Sequence, residues 1–125
     1  MEKKIIFSKE VPSPIGPYSQ AVKIGTTLYC SGQIALDTSG NMHQENIEIE
    51  TEEVMKNIKN LLKAAEMDFS NVVKTSIFLS DMNDFAKVNA IYAKYFDSNF
   101  PARETVQVSV LPKNANVEIS VIASE

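Results

Sequence analysis

A chain of 125 residues, 44% hydrophobic and 22% charged, has the composition of one globular domain and is too short for two independent cores. Twelve Lys and Arg residues against sixteen Asp and Glu residues give a net charge of -4 without a basic run, which argues against nucleic acid as a partner. Cys30 is the only cysteine, which excludes an internal disulfide, and we expect it to be a small buried apolar side chain.

The N-terminal segment has only one short apolar stretch, residues 5–7, which is too short for a signal-peptide core or a membrane span. We therefore expect a cytoplasmic protein that does not enter a membrane. His43 is the single histidine and lies in a polar loop, without companions that would complete a metal site, so no metal is expected.

Residues 11–18 contain three prolines and a glycine, which exclude a helix and predict a rigid, irregular segment. Residues 21–24 and 27–30 are strand-like and predict a hairpin, whose second strand is expected to continue to Ala35. Gly32 interrupts that strand. It indicates a bulge or a close approach to the backbone, although a simple packing requirement is an alternative.

From Glu48 to Ala65 the apolar residues recur at helical spacing and predict an amphipathic helix. Four acidic residues occupy its N-terminal end, where they complement the helix dipole, and we interpret them as part of a solvated face. They are Glu48, Glu50, Glu52 and Glu53.

Residues 72–79 are rich in β-branched side chains and predict a strand, after which Asp81 is expected to cap a second helix that runs to Phe96. Asn89 falls within the apolar stripe of that helix. An amide on a core-facing surface needs hydrogen-bond partners, so Asn89 either ties down a neighbouring loop or reaches a ligand.

Two further strands are expected near the C-terminus. Residues 105–110 alternate, with three valines on one face and Arg103 on the polar face, and residues 117–123 alternate with Glu118 opposite the main apolar set. The succession of elements predicts an α+β fold, with one mixed sheet covered by two helices on one face. Because several strands carry apolar residues on both faces, we expect a homo-oligomer.

Three C-terminal segments closely resemble the signature of the Rid (reactive intermediate/imine deaminase) family, RidA type, formerly YjgF; they are residues 101–106, 111–113 and 117–119. Residues 15–21, 31–34 and 83–92 also resemble family segments in order, so the resemblance spans nearly the whole chain. It implies a chorismate-mutase-like fold assembled as a homotrimer, with sites in the clefts between subunits. It also implies hydrolysis of 2-imino acids, such as 2-iminobutanoate and 2-iminopropanoate, to 2-keto acids and ammonia, with no cofactor.

Two residues carry the implied chemistry. Arg103 would grip the substrate carboxylate, since a planar guanidinium donates two parallel hydrogen bonds; the alternative is an ordinary ion pair, for example with Glu104. Glu118 would hold the attacking water or relay a proton, and the alternative is an ordinary solvent-facing glutamate.

The resemblance implies further substrate contacts by Tyr18, Ser31, Gly32, Asn89 and Thr105. The tyrosine ring would close the cleft, the serine and glycine would offer hydroxyl or backbone groups, and the asparagine would add an amide. Threonine at 105 is a departure, because many RidA-type members have cysteine there, and it bears on the substrate preference.

A second departure is Glu66, where relatives commonly end the first helix with glycine, at an expected cost of about 1 kcal/mol.

The spacing of the two chemical residues raises a geometric problem. In a simple hairpin that turned near Asn114, Arg103 and Glu118 would lie on the order of 15 Å apart at ~3.3 Å per residue. One cleft would then hold both only with a different strand order or a neighbouring chain.

Two other functions are alternatives, the second of them because the family resemblance implies it. One is a trimer that binds small carboxylates, such as 2-keto acids, without turnover, which needs Arg103 but not Glu118. The other is a chaperone-like or ribonuclease activity, and the acidic balance and the missing basic stripe argue against RNA.

Overall fold

A computed structural model describes all residues from 1 to 125, in eight main elements and three short 3-10 turns. In chain order the main elements are β1 (Lys3–Ile6), β2 (Ala21–Ile24), β3 (Thr27–Cys30), α1 (Ile47–Ala64), β4 (Val72–Leu79), α2 (Phe85–Ala93), β5 (Ala102–Gln107) and β6 (Val117–Ser124). The 3-10 turns are Phe69–Asn71, Met82–Asp84 and Pro112–Asn114. Neither helix combines the length and the apolar character that would be needed to cross a bilayer.

The strands form one mixed sheet in the order β1-β2-β3-β6-β4-β5. Every neighbouring pair is antiparallel except β4 and β5, which are parallel and are connected through α2. The predicted α+β fold with a mixed sheet is therefore confirmed. Since β4 lies between β5 and β6, the last two strands do not form a hairpin.

Both helices cover the same face of the sheet, as predicted, and the core lies between them and the strands. Strand β6 turns its apolar set inward, so Val117 and Ile119 are fully buried, and α1 contributes its predicted apolar stripe. Asn46 caps α1, because its Oδ1 accepts a hydrogen bond from the Ile49 N–H at 2.8 Å. Cys30 is buried, as predicted, and burial raises the pKa of its thiol to about 12.

The opposite face of the sheet carries no helix and exposes apolar side chains. Ile5, Tyr29 and Val106 on this face are 52%, 49% and 41% exposed. An irregularity in β4 between Val72 and Lys74 turns Val73 outward, although strict alternation along the strand would place Val73 on the core face with Ile77. We call this surface the open face. Exposed apolar surface of this kind is typical of an interaction site.

Two predicted elements are shorter than expected. The second strand of the hairpin ends at Cys30, and only Gln33 pairs again, through two hydrogen bonds with Ile119. Asp81 caps the 3-10 turn at 82–84 through the Asn83 N–H, so α2 starts later and ends at Ala93.

Strand β5 lies closer to the N-terminus than the predicted range 105–110, since it starts at Ala102 and ends at Gln107. The physical reason is that its partner β4 ends at Leu79, whose carbonyl accepts a last hydrogen bond from the Val108 N–H. Beyond Leu79, the Ser80 N–H donates to the Asn116 carbonyl and not to β5. Val110, which the sequence pattern predicted to lie on a strand, is 68% exposed.

Candidate active site

Four of the seven predicted site residues line one cavity of about 410 Å³ beside the proline-rich segment. They are Tyr18, Ser31, Gly32 and Glu118. The rest of the wall comes mainly from residues 12–15, the segment after Ser31 and the turn at 112–113. We call this cavity the Glu118 pocket.

The Glu118 side chain leaves β6 on the side away from the helices and lies against Gly32. A Cβ atom on Gly32 would be 2.5 Å from Oε2 of Glu118, so any larger residue there would displace the carboxylate from its present position. This is the close approach that the sequence offered as one interpretation of Gly32. The carboxylate is half-buried and accepts no hydrogen bond within the chain, and burial raises the pKa of the Glu118 carboxyl above its usual range. An ordinary solvent-facing glutamate does not fit this description.

The proline-rich wall is held by Gln20, whose side chain is almost fully buried. Its Nε2 donates to the carbonyls of Ser8, Val11 and Pro12 at 3.0–3.2 Å, and its Oε1 accepts from the Ser8 N–H at 2.7 Å. Gln20 was not identified from the sequence. Its only signal was an amide placed directly before an apolar strand.

Ser31 uses its hydroxyl to hold the wall of the pocket. Its Oγ donates to the Ser19 carbonyl at 2.6 Å, so the hydroxyl hydrogen is not free to bind a substrate. Tyr18, the residue before Ser19, has an exposed side chain. The Gly32 N–H, in contrast, makes no hydrogen bond within the chain. Of the two groups that the resemblance assigned to substrate contacts, the glycine N–H is therefore the free donor.

Arg103 lies elsewhere, on the edge strand β5 and on the side of the sheet that carries α2. Its guanidinium carbon is 5.1 Å from the ring centroid of Tyr92 and 5.6 Å from that of Phe85. Nη1 donates to Oδ1 of Asn89 at 2.7 Å. With Asn89, Tyr92 and Phe100 it lines a cavity of about 430 Å³, which we call the Arg103 cavity. Stacking and one hydrogen bond thus orient the guanidinium and leave its other N–H groups free for an anion.

The structure shows neither the ion pair that was the alternative role of Arg103 nor the loop contact that was the alternative role of Asn89. Arg103 makes no ion pair, because Glu104 points to the other side of β5, where it binds Lys74 at 2.9 Å and Ser76. Asn89 ties down the arginine rather than a loop.

Thr105 lies two residues beyond Arg103 on the same side of β5. Its Oγ1 is buried and has no hydrogen-bond partner, which is true of no other buried side-chain oxygen or nitrogen in the chain. A buried hydroxyl without a partner is uncommon, and Thr105 does not line the Arg103 cavity.

The structure does not bring Arg103 and Glu118 together in one chain. Arg103 is in register with Thr75 on β4, whereas Glu118 is in register with Phe78, and β4 separates them. Two strand spacings and three residues put their Cα atoms roughly 14 Å apart, and the side chains leave opposite faces of the sheet. The strand order is thus not that of a hairpin, but this difference does not bring the two residues into one cleft. The Glu118 pocket and the Arg103 cavity share no lining residue.

Two further residues near Glu118 were not identified as site residues. Lys113 lines the Glu118 pocket from a left-handed backbone conformation, with φ of 54°. Glu50, interpreted as part of a solvated helix face, is fully buried and contacts Asn116. That interpretation was wrong because periodicity places Glu50 on the helix surface but does not show which loop covers it.

Comparison with known proteins gives consistent matches. Residues 8–125 match the model of the family described as Endoribonuclease L-PSP. A Homo sapiens protein named 2-iminobutanoate/2-iminopropanoate deaminase is 48% identical over 122 residues, which are 97% of this chain and 89% of the human protein. A Yersinia pestis protein, YyfA, of the conserved Rid protein family has a crystal structure with a TM-score of 0.96 at 47% identity, over 99% of this chain and 100% of that one. The crystal structure of E. coli TdcF with bound serine gives a TM-score of 0.93 at 34% identity, over 98% of both chains.

Proposed function

Because the chain belongs to the Endoribonuclease L-PSP family, which is the Rid family of the motif resemblance, we propose that it hydrolyses 2-imino acids to 2-keto acids and ammonia. The substrates are 2-iminobutanoate and 2-iminopropanoate, the reactive products that follow from enamines released by PLP enzymes. The human relative of 48% identity carries the name of this activity. The reaction would remove these intermediates.

The observation that carries this proposal is the environment of Glu118. A half-buried carboxylate with a raised pKa, no internal hydrogen bond and a free backbone N–H beside it at Gly32 suits proton transfer to and from water. A residue that only held the fold together would have its oxygens engaged by the chain.

The reaction needs one water molecule and a group that moves a proton. The substrate reacts as its protonated imine, C=NH2+. The water oxygen forms a bond to the imine carbon while the Glu118 carboxylate accepts a proton from the water, which gives a neutral carbinolamine and a protonated Glu118. Glu118 then gives this proton to the nitrogen, the C–N bond breaks, and ammonia leaves as the hydroxyl proton passes to Glu118 and the keto group forms. Glu118 becomes a carboxylate again when it gives that last proton to ammonia, so the products are the keto acid and ammonium.

Arg103 would hold the substrate carboxylate, with Thr105 and Asn89 beside it. A guanidinium already oriented by two rings and an amide is well suited to a bidentate contact. TdcF, which shares this fold, binds serine in its crystal structure, which supports a site for a small molecule with a carboxylate.

The active site would be completed between copies of the chain, in a homotrimer. Arg103 of one copy would meet Glu118 of the next, since one copy cannot aim both side chains at the same cleft. The apolar open face supports assembly, because its exposed side chains would be covered by neighbouring copies. Light scattering should give three times the mass of 13.9 kDa for the wild type, and Tyr29→Glu should reduce it to the monomer.

The activity is tested by coupling a PLP-dependent threonine dehydratase to this protein and following the release of 2-oxobutanoate. We expect faster release with the wild type and none of that acceleration with Arg103→Ala or Glu118→Gln. Lys63→Ala, which removes an exposed cation paired only with Glu10, is the control and should behave as the wild type. Equal acceleration by Glu118→Gln would mean that Glu118 does not handle the water, and no acceleration by the wild type would support binding without turnover.

The family description favours one further test. Cleavage of RNA that depended on Arg103 would support a ribonuclease, whereas the acidic balance of the chain predicts none. The cytoplasmic location also stays a prediction, and fractionation of cells that produce the tagged protein would check it.

A further inference from the structure

Glu50 is an acidic residue in the first turn of α1 that has no exposed surface. No Lys, Arg or His side chain forms an ion pair with it. Burying a carboxylate is unfavourable unless its oxygens are well hydrogen-bonded, and an amide of the same shape would be easier to bury. The reason for a carboxylate at this position therefore lies in what its two oxygens bind.

Both oxygens of Glu50 bind one residue, Asn116. The Asn116 N–H donates to Oε2 at 2.7 Å, and the Asn116 Nδ2 donates to Oε1 at 2.8 Å. Ser80, at the end of β4, engages the rest of Asn116, because its Oγ donates to Oδ1 at 3.2 Å and its N–H donates to the carbonyl at 3.1 Å. All four polar groups of Asn116 are thus held, from α1 on one side and from β4 on the other.

Asn116 stands at the point where the chain enters β6. Just before it, Lys113 and Asn114 adopt left-handed conformations, with φ of 54° and 53°, which non-glycine residues rarely do. Just after it, Glu118 is the second residue of the strand. The Glu50 contact therefore fixes the path of the backbone between a strained turn and the carboxylate in the pocket.

The place of the Glu118 carboxylate depends on this backbone path, because its oxygens have no partner of their own and only the strand holds it, through pairing with Phe78 in β4 and through the Glu50 contact where the strand begins. Its carboxylate receives no hydrogen bond, and it lies so close to Gly32 that a Cβ atom there would be 2.5 Å from Oε2. A shift at Asn116 moves Glu118 relative to Gly32 and to any bound substrate, whereas a side chain with its own partners would resist such a shift.

We propose that Glu50 is a positioning residue: its buried carboxylate clamps Asn116 and so sets the place of Glu118 in the pocket. The inference rests on the proposed function for its effect on catalysis, but the position and environment of Glu118 can be measured without any reaction.

The experiment compares Glu50→Gln with the paired variant Glu50→Gln/Asn116→Asp. The single change turns one acceptor into an N–H donor that faces a donor of Asn116, so the clamp is broken. The paired change reverses donor and acceptor between the two side chains, keeps the net charge, and leaves an acceptor for the N–H at 116 and for Ser80. Thr51→Val is the matched control, since Thr51 is also fully buried in α1 and bonds only to Ile47.

Two measurements separate positioning from stability. In Glu50→Gln, the titration of the Glu118 carboxyl carbon, followed by NMR with labelled glutamate, should shift toward the usual range as water reaches the carboxylate. The kcat for 2-iminobutanoate should fall by about tenfold, in line with the sensitivity of catalysis to small displacements. The paired variant should restore both, and Thr51→Val should change neither.

The inference is overturned when the Glu118 titration in Glu50→Gln matches the wild type, or when kcat falls no further than in Thr51→Val. A paired variant that regains thermal stability but not the Glu118 titration would also overturn it. If the wild type does not deaminate imines at all, the proposed function fails, and the NMR titration still decides whether Glu50 sets the environment of Glu118.

Discussion

The Glu118 pocket and the Arg103 cavity are built on opposite sides of the same sheet and by different means. In the pocket, the carboxylate is desolvated and has no partner of its own, so burial governs its readiness to take a proton. In the cavity, the guanidinium is exposed, yet two rings and an amide orient it. Proton transfer benefits from a perturbed group and anion binding from a preorganised one, which supports our proposal that the first region carries the chemistry and the second the recognition of the substrate.

The largest effect on activity is expected when Arg103 and Glu118 are removed in separate variants, which are then measured alone and mixed. Arg103→Ala and Glu118→Gln should each lose roughly a hundredfold or more in kcat/KM. Equal amounts refolded together into a cyclic trimer should regain about a quarter of the wild-type rate, since one site in four then pairs an intact arginine with an intact glutamate. Release of 2-oxobutanoate measures it. A mixture as inactive as its components would place both residues in a site within one chain.

A change confined to the pocket should act on the chemical step. Gly32→Ala puts a Cβ 2.5 Å from Oε2 of Glu118, and the flexible end of that side chain gives way before the backbone does. We expect kcat to fall by roughly 10- to 100-fold with little change in KM or in the melting temperature. Steady-state kinetics and a thermal melt check this, and a rise in KM alone would contradict it.

The pH dependence of kcat/KM should reflect the titration of Glu118 in the pocket and not the Arg103 cavity. The pKa of the Glu118 carboxyl is raised by burial, so kcat/KM should decline with acidification below that raised value, and the decline should start above the usual range for glutamate. The folded state also binds this proton more tightly than the unfolded state. The contribution of Glu118 to stability is therefore most favourable at low pH and declines as the pH rises from its unfolded pKa through its folded pKa.

This linkage gives a test that needs no substrate. At neutral pH, Glu118→Gln should be more stable than the wild type, although it is inactive, because it removes the desolvated charge. Urea unfolding at pH 7 and at pH 4 should show that the advantage shrinks in acid. If the difference in unfolding free energy between Glu118→Gln and the wild type were the same at both pH values, Glu118 would not be desolvated.

A change confined to the cavity should act on binding. Phe85→Leu removes one of the two rings beside the Arg103 guanidinium and should raise KM by about threefold at unchanged kcat, as expected for one exposed cation–π contact. Phe69→Leu is the control, since that ring packs against Tyr95 and Phe96, away from the arginine. A fall in kcat without a change in KM would move Arg103 into the chemical step.

The smallest effect should touch neither region. Glu66 has a left-handed φ of 60° at the end of α1, where its N–H and that of Met67 bond back to Lys63 and Leu62. Glycine adopts this conformation without the strain on Cβ, so Glu66→Gly should stabilise the protein by about 1 kcal/mol at unchanged kcat and KM. Urea unfolding measures the gain, and a loss of stability would contradict it.

The sequence by itself determined the elements that have a strong periodic pattern. Strand β4 was predicted with its observed bounds, and the apolar sets of α1 and β6 are buried as predicted, because alternation and helical spacing reflect which side faces a core. The family resemblance was also evident from the chain. The approach to Gly32 was one of the stated interpretations.

Only the tertiary structure decided the strand order and the surroundings of single polar residues. The insertion of β4 between β5 and β6, the separation of Arg103 from Glu118 and the early end of β5 depend on long-range pairing, which local sequence does not encode. The burial of Glu50 and the anchoring by Gln20 depend on which distant backbone groups arrive next to them. Periodicity is a property of one segment, whereas a hydrogen bond between segments exists only after the chain has folded.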